Sequence, residues 1–148
     1  MRDPAETLAA YLTTDYWVLS AQGEPFALCA GKVSERLISH YKSQAVSSAL
    51  FITAFNPFST PTPDRENQVS QARLRSRLSD LTPLVWHGEG RGRTGDWPPE
   101  PSFLALGVDY DAACTLGREF GQNAFIFAGA DGIPSLVLLN GGDEMARA

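Results

Sequence analysis

The apolar run at residues 50–55 (LFITAF) constrains the fold more than any other segment of this chain. It lacks the regular alternation of a half-exposed strand, which is typical of a central strand covered on both faces. Asn56 and Pro57 follow directly, and proline cannot continue a strand ladder. The run therefore predicts a buried strand with a sheet around it and other layers packed against that sheet.

Shorter segments predict the remaining elements. Strand patterns occupy residues 16–21, 26–30, 83–87, 102–108, 123–128 and 135–139, and helical patterns occupy about 4–12, 34–45, 65–81 and 109–120. Hairpins at both ends favour an α+β fold, with a mixed, mainly antiparallel sheet of about six strands and helices packed on it. A chain of 148 residues has the usual size of a single domain, with a frayed tail from about residue 140.

A helix at 65–81 and a glycine-rich segment at 88–99 lie between predicted strands and could contribute to a site. On the helix at 65–81, the pattern predicts Asp64 as the N-cap and an inner face of Val69, Ala72, Leu78 and Leu81. Residues 88–99 carry four glycines and two prolines, which predicts a long loop that is mobile or folded over a site.

Composition excludes several classes of protein. The net charge is −5 and the sequence pI is about 4.9, which disfavours general affinity for nucleic acid or for anionic membranes. No apolar run approaches the length of a membrane span, and the first residues lack the pattern of a signal peptide. Cys29 and Cys114 lie far apart without metal-type spacing, so a reduced pair and a cytoplasmic location are expected.

Four polar residues at the edges of apolar segments are the candidate ligand-binding groups: Asn56, Asn67, Glu100 and Gln122. A buried amide or carboxylate is costly unless it finds a partner, so these groups are expected to converge on something. Each also has a structural interpretation. The two asparagines could cap a turn and a helix, Glu100 could be an exposed loop acid, and Gln122 could satisfy carbonyls at a helix end.

Positive charge is concentrated at residues 65–93, where six arginines face three acids. Arg73 and Arg77 are the candidate anion contacts, and the cluster also leaves nucleic acid as a possible though disfavoured partner. A solvated helix face is the usual explanation for arginines at such spacing.

Strong catalytic signatures are missing from the sequence. The glycines at 88–95 precede prolines that cannot open a helix, so they do not form a dinucleotide fingerprint. His40 and His87 show no orienting acid or nucleophile, Ser102 has no nucleophile elbow around it, and no metal-ligand spacing is visible. Neither a metal nor a cofactor is expected, and Glu100 is a weak candidate for a catalytic residue.

The order of these motifs resembles a bacterial family catalogued as domain of unknown function 3293. The resemblance is carried by FITAFNP at 51–57, EN at 66–67, WPPEPSFL at 97–104 and LGREFGQNAF at 116–125. It spans roughly residues 11–139 and implies one small α/β-type bacterial domain, but no activity. Pro101 departs from the acid or small polar residue expected there, which weakens the case for a pair of carboxylates.

Three functions fit this sequence. The leading hypothesis is a module that binds a polar small molecule or a protein partner. The second is an enzyme acting on a nucleotide or another phosphorylated substrate, with Glu100 as general base, arginine as anion clamp and the glycine-rich loop as a lid. The third is a protein-interaction module of the inhibitor or immunity type, suggested by the acidic chain and the Trp/Pro segment at 97–99.

Overall fold

One eight-stranded sheet organises the chain. A computed structural model describes residues 9, 12–21, 23–93, 98–139 and 144–146. The strands are β1 (Thr14–Val18), β2 (Phe26–Leu28), β3 (Ala49–Ile52), β4 (Val85–Gly92), β5 (Glu100–Leu106), β6 (Ala124–Ala128), β7 (Ser135–Leu138) and β8 (Glu144–Ala146). Their order is β2-β1-β4-β5-β3-β6-β7-β8, and the strand pairs that the structure describes are antiparallel.

Three helices of the described chain accompany the sheet: α1 (Glu35–Gln44), α2 (Asp64–Leu81) and α3 (Tyr110–Glu119). The side chains of Ser34 and Asp109 cap α1 and α3 by accepting hydrogen bonds from backbone N–H groups three residues on. Helix α2 begins without a side-chain cap, so the prediction that Asp64 is the N-cap is wrong, and Asp64 lies in the first turn. None of these described helices is long and apolar enough to cross a membrane.

The sheet has a hydrophobic cluster on each face. One cluster joins α2 and α3 to the sheet and includes Leu50, Leu74 and Phe125. The other joins α1 to the opposite face and includes Leu37 and Phe51. All four residues of β3 are buried, because adjacent side chains point to opposite faces and both faces are covered. The central strand predicted from the apolar run is confirmed.

The predicted α+β class and both hairpins are confirmed, with two differences. The sheet has eight strands rather than about six, and the parallel neighbours of a mixed sheet do not occur among the described pairs. Strands β5 and β6 do run in the same direction, but β3 lies between them and is antiparallel to both. The tail beyond residue 140 lies largely outside the described residues, apart from the pairing of β8 with β7.

Strand β4 replaces the first part of the predicted glycine-rich loop. Residues 88–92 pair with β1 on one side, and residues 88–90 pair with β5 on the other. Gly88 is required by space, because a Cβ there would lie 2.7 Å from the Trp17 carbonyl oxygen and 2.8 Å from the Phe51 ring. Because Gly88 has no side chain, the rings of Tyr16 on β1 and Phe51 on β3 can meet edge-on, with their centroids 5.3 Å apart.

Candidate functional site

Two asparagines at the end of β3 form a reciprocal pair. Asn67, in the first turn of α2, accepts a hydrogen bond from the Asn56 backbone N–H at 2.9 Å through its Oδ1. Its Nδ2 donates to Asn56 Oδ1 at 2.9 Å and to the Thr62 carbonyl oxygen at 3.2 Å. Asn56 Oδ1 also accepts from the Thr62 N–H. The pair therefore fastens the 56–62 loop to the start of α2.

Gln71 continues this network one helical turn further along α2. Its Oε1 accepts from the Ala54 N–H at 2.9 Å, and its Nε2 donates to the Pro101 carbonyl oxygen at 3.1 Å. Thr53 donates to the same carbonyl at 2.7 Å. Just beyond β3 the usual strand ladder has ended, so side-chain amides replace it in joining this segment to β5.

The loop held by these amides is strained. Asn56, Phe58 and Ser59 all have left-handed backbone conformations, with φ of 46°, 58° and 57°. Such conformations are unfavourable for residues with a side chain and persist only where surrounding contacts hold them. Here the Phe58 N–H donates to the Gly121 carbonyl oxygen, and Asn123 Nδ2 donates to Ser59 Oγ.

The structure brings three of the four predicted polar residues into contact, and the fourth, Gln122, contacts the backbone of the residue before Asn56. Asn56 Nδ2 lies 3.5 Å from Glu100 Oε2, at the start of β5. Gln122 is buried, and its Nε2 donates to the carbonyl oxygens of Phe55 and Phe120. Asn56, Asn67 and Gln122 thus spend most of their hydrogen-bonding capacity on backbone groups and on each other, as their structural interpretation expects. A role of these four residues in ligand binding stays a prediction.

The two predicted anion contacts lie elsewhere, on the side of α2 that faces α3. Arg77 donates to both carboxylate oxygens of Glu119, and this hydrogen-bonded pair lowers the pKa of Glu119. Arg73 lies over the Phe120 ring, with its guanidinium carbon 5.6 Å from the ring centroid. Among the described contacts, neither arginine touches the asparagine pair, and a role of Arg73 and Arg77 in binding an anion stays a prediction.

A shallow cleft of about 260 Å³ lies beside the amide network, between α2 and strands β4 and β5. Gln71 and Pro101 belong to both the cleft and the network. At the cleft's other end, Arg75 Nη1 and His87 Nε2 are 3.1 Å apart. Both side chains lie against the Phe103 ring, at 5.8 Å for the guanidinium carbon and 5.6 Å for the imidazole. We call these nine residues the α2 cleft: Gln68, Gln71, Ala72, Arg75, His87, Gly88, Pro101, Ser102 and Phe103.

Of the four residues predicted for the inner face of α2, Leu78 is buried, but the other three are not. The buried residues are Asn67, Gln71, Leu74 and Leu78, whereas Val69 is 59% exposed and Leu81 is 46% exposed. Ala72 is exposed as well. A signal was available: Asn67, Gln71 and Arg75 recur every four residues, which places them along one side of a helix.

The second and third functional hypotheses meet this geometry differently. A lid cannot be formed by residues 88–92, because they are paired on a strand. Trp97, on which the protein-interaction hypothesis rests, lies outside the described residues. Among the residues that the structure describes, no group of three or more histidine, cysteine or acidic side chains is placed to hold a metal ion.

A family comparison covers this whole region. The model of a family described as "Protein of unknown function (DUF3293)" matches residues 52–125. The chain belongs to this family. No curated protein and no solved structure matches the chain.

The match to the DUF3293 family begins at the end of β3 and ends on β6. It therefore includes the asparagine pair, Gln71, Glu100, Gln122 and the whole α2 cleft. The β1–β2 hairpin lies outside the matched residues. The family name brings no activity, so function has to be argued from the site itself.

Proposed function

We propose that this protein binds a small molecule through an anionic group, a phosphate or carboxylate, held in the α2 cleft. The observation that carries the proposal is the Arg75–His87 pair, in which two nitrogen-bearing side chains converge at 3.1 Å over an aromatic ring. An arginine fork matches the oxygen atoms of a carboxylate or phosphate and can bind them with two parallel hydrogen bonds.

Arg75 differs from three other arginines near the sheet. Arg77, Arg91 and Arg93 each form an ion pair, with Glu119, Glu89 and Asp15 respectively. Among the described residues, Arg75 has no acidic side chain within ion-pair distance, and its hydrogen-bond partner is the imidazole of His87. Its positive charge is therefore available for an anion from solution.

The neighbouring groups suit an anionic ligand as well. Arg75 uses Nη1 for the contact with His87 Nε2, and the other N–H groups of its guanidinium can donate to the oxygen atoms of an anion. The exposed Gln68 adds an amide at the rim of the same cleft. At about 260 Å³ the cleft suits one charged group rather than a whole drug-sized ligand, so most of the ligand would lie outside it.

The amide network supports this site without contacting the ligand in our proposal. Gln71 ties α2 to the Pro101 carbonyl and so sets the width of the cleft at one end. Asn67 and Asn56 hold the first turn of the same helix. Positioning of this kind depends on rigid supporting side chains.

Isothermal titration with inorganic phosphate, citrate and ribose 5-phosphate tests the proposal. We expect at least one probe to bind, and Arg75→Met to weaken it about tenfold or more, as expected for a charge-assisted pair. Arg73→Met is the matched control, because Arg73 lies on the same helix and over a phenylalanine ring, that of Phe120, but outside the cleft. If no probe binds, or if both variants weaken binding equally, the proposal is wrong.

A further inference from the structure

An aromatic side chain stands on the open sheet face beside the α2 cleft. Trp17 pairs with Glu89 across β1 and β4, and His87 pairs with Phe103 across β4 and β5. Directly paired residues point to the same face, and so do residues two apart on one strand. Trp17, Glu89 and His87 therefore lie on the face that carries the cleft.

Trp17 is not part of the protein core. Its neighbours Tyr16 and Val18 are buried in the cluster on the opposite face, whereas Trp17 belongs to neither hydrophobic cluster and is half-buried. The described contact on its ring is the guanidinium of Arg91, 5.2 Å from the ring centroid. A large aromatic ring is thus presented beside a cation rather than packed beneath a helix.

The polar groups between Trp17 and the cleft follow a definite order. Arg75 and His87 come first, then Glu89, and then Trp17 with Arg91. A phosphate suits the first pair, a carboxylate accepts hydrogen bonds from sugar hydroxyls, and an indole with an arginine stacks on a flat heterocyclic base. That is the sequence of groups in a nucleoside monophosphate.

We infer that the ligand of the α2 cleft is a nucleoside 5′-monophosphate, with its base on Trp17 and its ribose beside Glu89. This inference rests on the proposed function, because the phosphate must bind at the Arg75–His87 pair. Charge favours a single nucleotide over a nucleic acid strand. The chain carries a net charge of −5, which disfavours association with the many phosphates of a strand.

Titration calorimetry with ribose 5-phosphate and with the adenosine, guanosine, cytidine and uridine 5′-monophosphates tests the inference. At least one nucleotide should bind about tenfold or more tightly than ribose 5-phosphate, as expected for one stacked base. Trp17→Leu should remove that excess and leave the affinity for ribose 5-phosphate unchanged. Trp86→Phe is the control, because Trp86 packs beside His40 against the cluster on the opposite face. This variant should still bind the nucleotide more tightly than ribose 5-phosphate.

A second readout decides the matter if Trp17→Leu does not fold. The chain has three tryptophans, so the double variant Trp86→Phe/Trp97→Phe leaves Trp17 as the single tryptophan. A stacked base should quench its fluorescence, whereas ribose 5-phosphate should not. If ribose 5-phosphate binds and no nucleotide binds more tightly or quenches Trp17, the inference fails and the anion site stands. Tight binding of an oligonucleotide without binding of any mononucleotide would also overturn it.

Discussion

Replacing Asn67 with alanine tests whether the amide network holds the strained loop. The side chain makes three hydrogen bonds, with the Asn56 N–H, Asn56 Oδ1 and the Thr62 carbonyl oxygen. At about 1 kcal/mol for each hydrogen bond, their loss costs about 3 kcal/mol. Alanine recovers about 0.6 kcal/mol through its higher helix propensity, so we expect a net loss of about 2 kcal/mol in the free energy of unfolding.

Urea denaturation at equilibrium measures this loss. For a chain of this size it should lower the midpoint by roughly 1 M urea without changing the slope of the transition. Gln68→Ala is the matched control, because Gln68 is the next residue on the same helix, is exposed, and should change stability by less than about 0.5 kcal/mol.

A double-mutant cycle with Asn56→Gly shows whether the effect belongs to the pair. Glycine adopts the positive φ of position 56 without strain, so this change removes the Asn56 side chain and keeps the loop conformation. The two substitutions should couple by about 1 kcal/mol or more. A loss of less than about 0.5 kcal/mol for Asn67→Ala, or strict additivity in the cycle, would refute the role we assign to the network.

Three further predictions concern single positions. Burial and the nearby Arg36 guanidinium lower the pKa of His40 below 6.5, so the unfolded chain protonates His40 at a higher pH than the folded chain does. The stability that comes from this group is therefore complete above about pH 6.5 and decreases as the pH falls below it. His40→Leu should reduce that decrease in urea titrations at several pH values. Ser135 has a fully buried hydroxyl with no hydrogen-bond partner among the described groups. Ser135→Ala should therefore leave the free energy of unfolding unchanged or raise it by up to about 1 kcal/mol, and a clear decrease of the melting temperature in calorimetry would contradict this. Gly88→Ala should destabilise by about 1–3 kcal/mol because its Cβ meets Trp17 and Phe51, whereas Gly92→Ala on the same strand meets no atom within 4 Å and should be close to neutral in the same assay.

Local sequence patterns predicted the elements whose environment is uniform. The apolar run at 50–55 yielded β3 at the centre of the sheet, and the helical pattern at 34–45 yielded α1. These predictions succeed because an amphipathic helix or a fully buried strand depends on residues close in sequence. The two terminal hairpins succeed for the same reason.

The failures occur where distant residues decide the outcome. Gly88 reads as a loop residue by propensity, but the close approach of Trp17 and Phe51 makes glycine necessary at this point of β4. Helix α2 turns Asn67 and Gln71 inward because the backbone beyond β3 needs hydrogen-bond partners there. The four-residue spacing of Asn67 and Gln71 is compatible with that inner face, but a buried helix position is usually apolar, so Val69 was wrongly expected to be buried.

The candidate site also contains contacts that the sequence predicted and contacts that it did not. Convergence of Asn56, Asn67, Glu100 and Gln122 was anticipated, because polar residues at the ends of buried strands must find partners. The Arg75–His87 pair was not anticipated. It joins a helix to a strand 12 residues away, and a basic residue on a helix surface looks the same in sequence whether or not a histidine lies beside it.

The alternating glycines of β4 make the two faces of that strand different. On one face Tyr16 and Phe51, which come from other strands, fill the space beside Gly88, so Trp86 is the side chain of β4 that packs against the cluster on that face. On the other face His87 and Arg91 are exposed and Glu89 is half-buried. Under the proposed function, substitutions among these three should alter which ligand binds with little effect on folding, and this strand is where the specificities of relatives should diverge most readily.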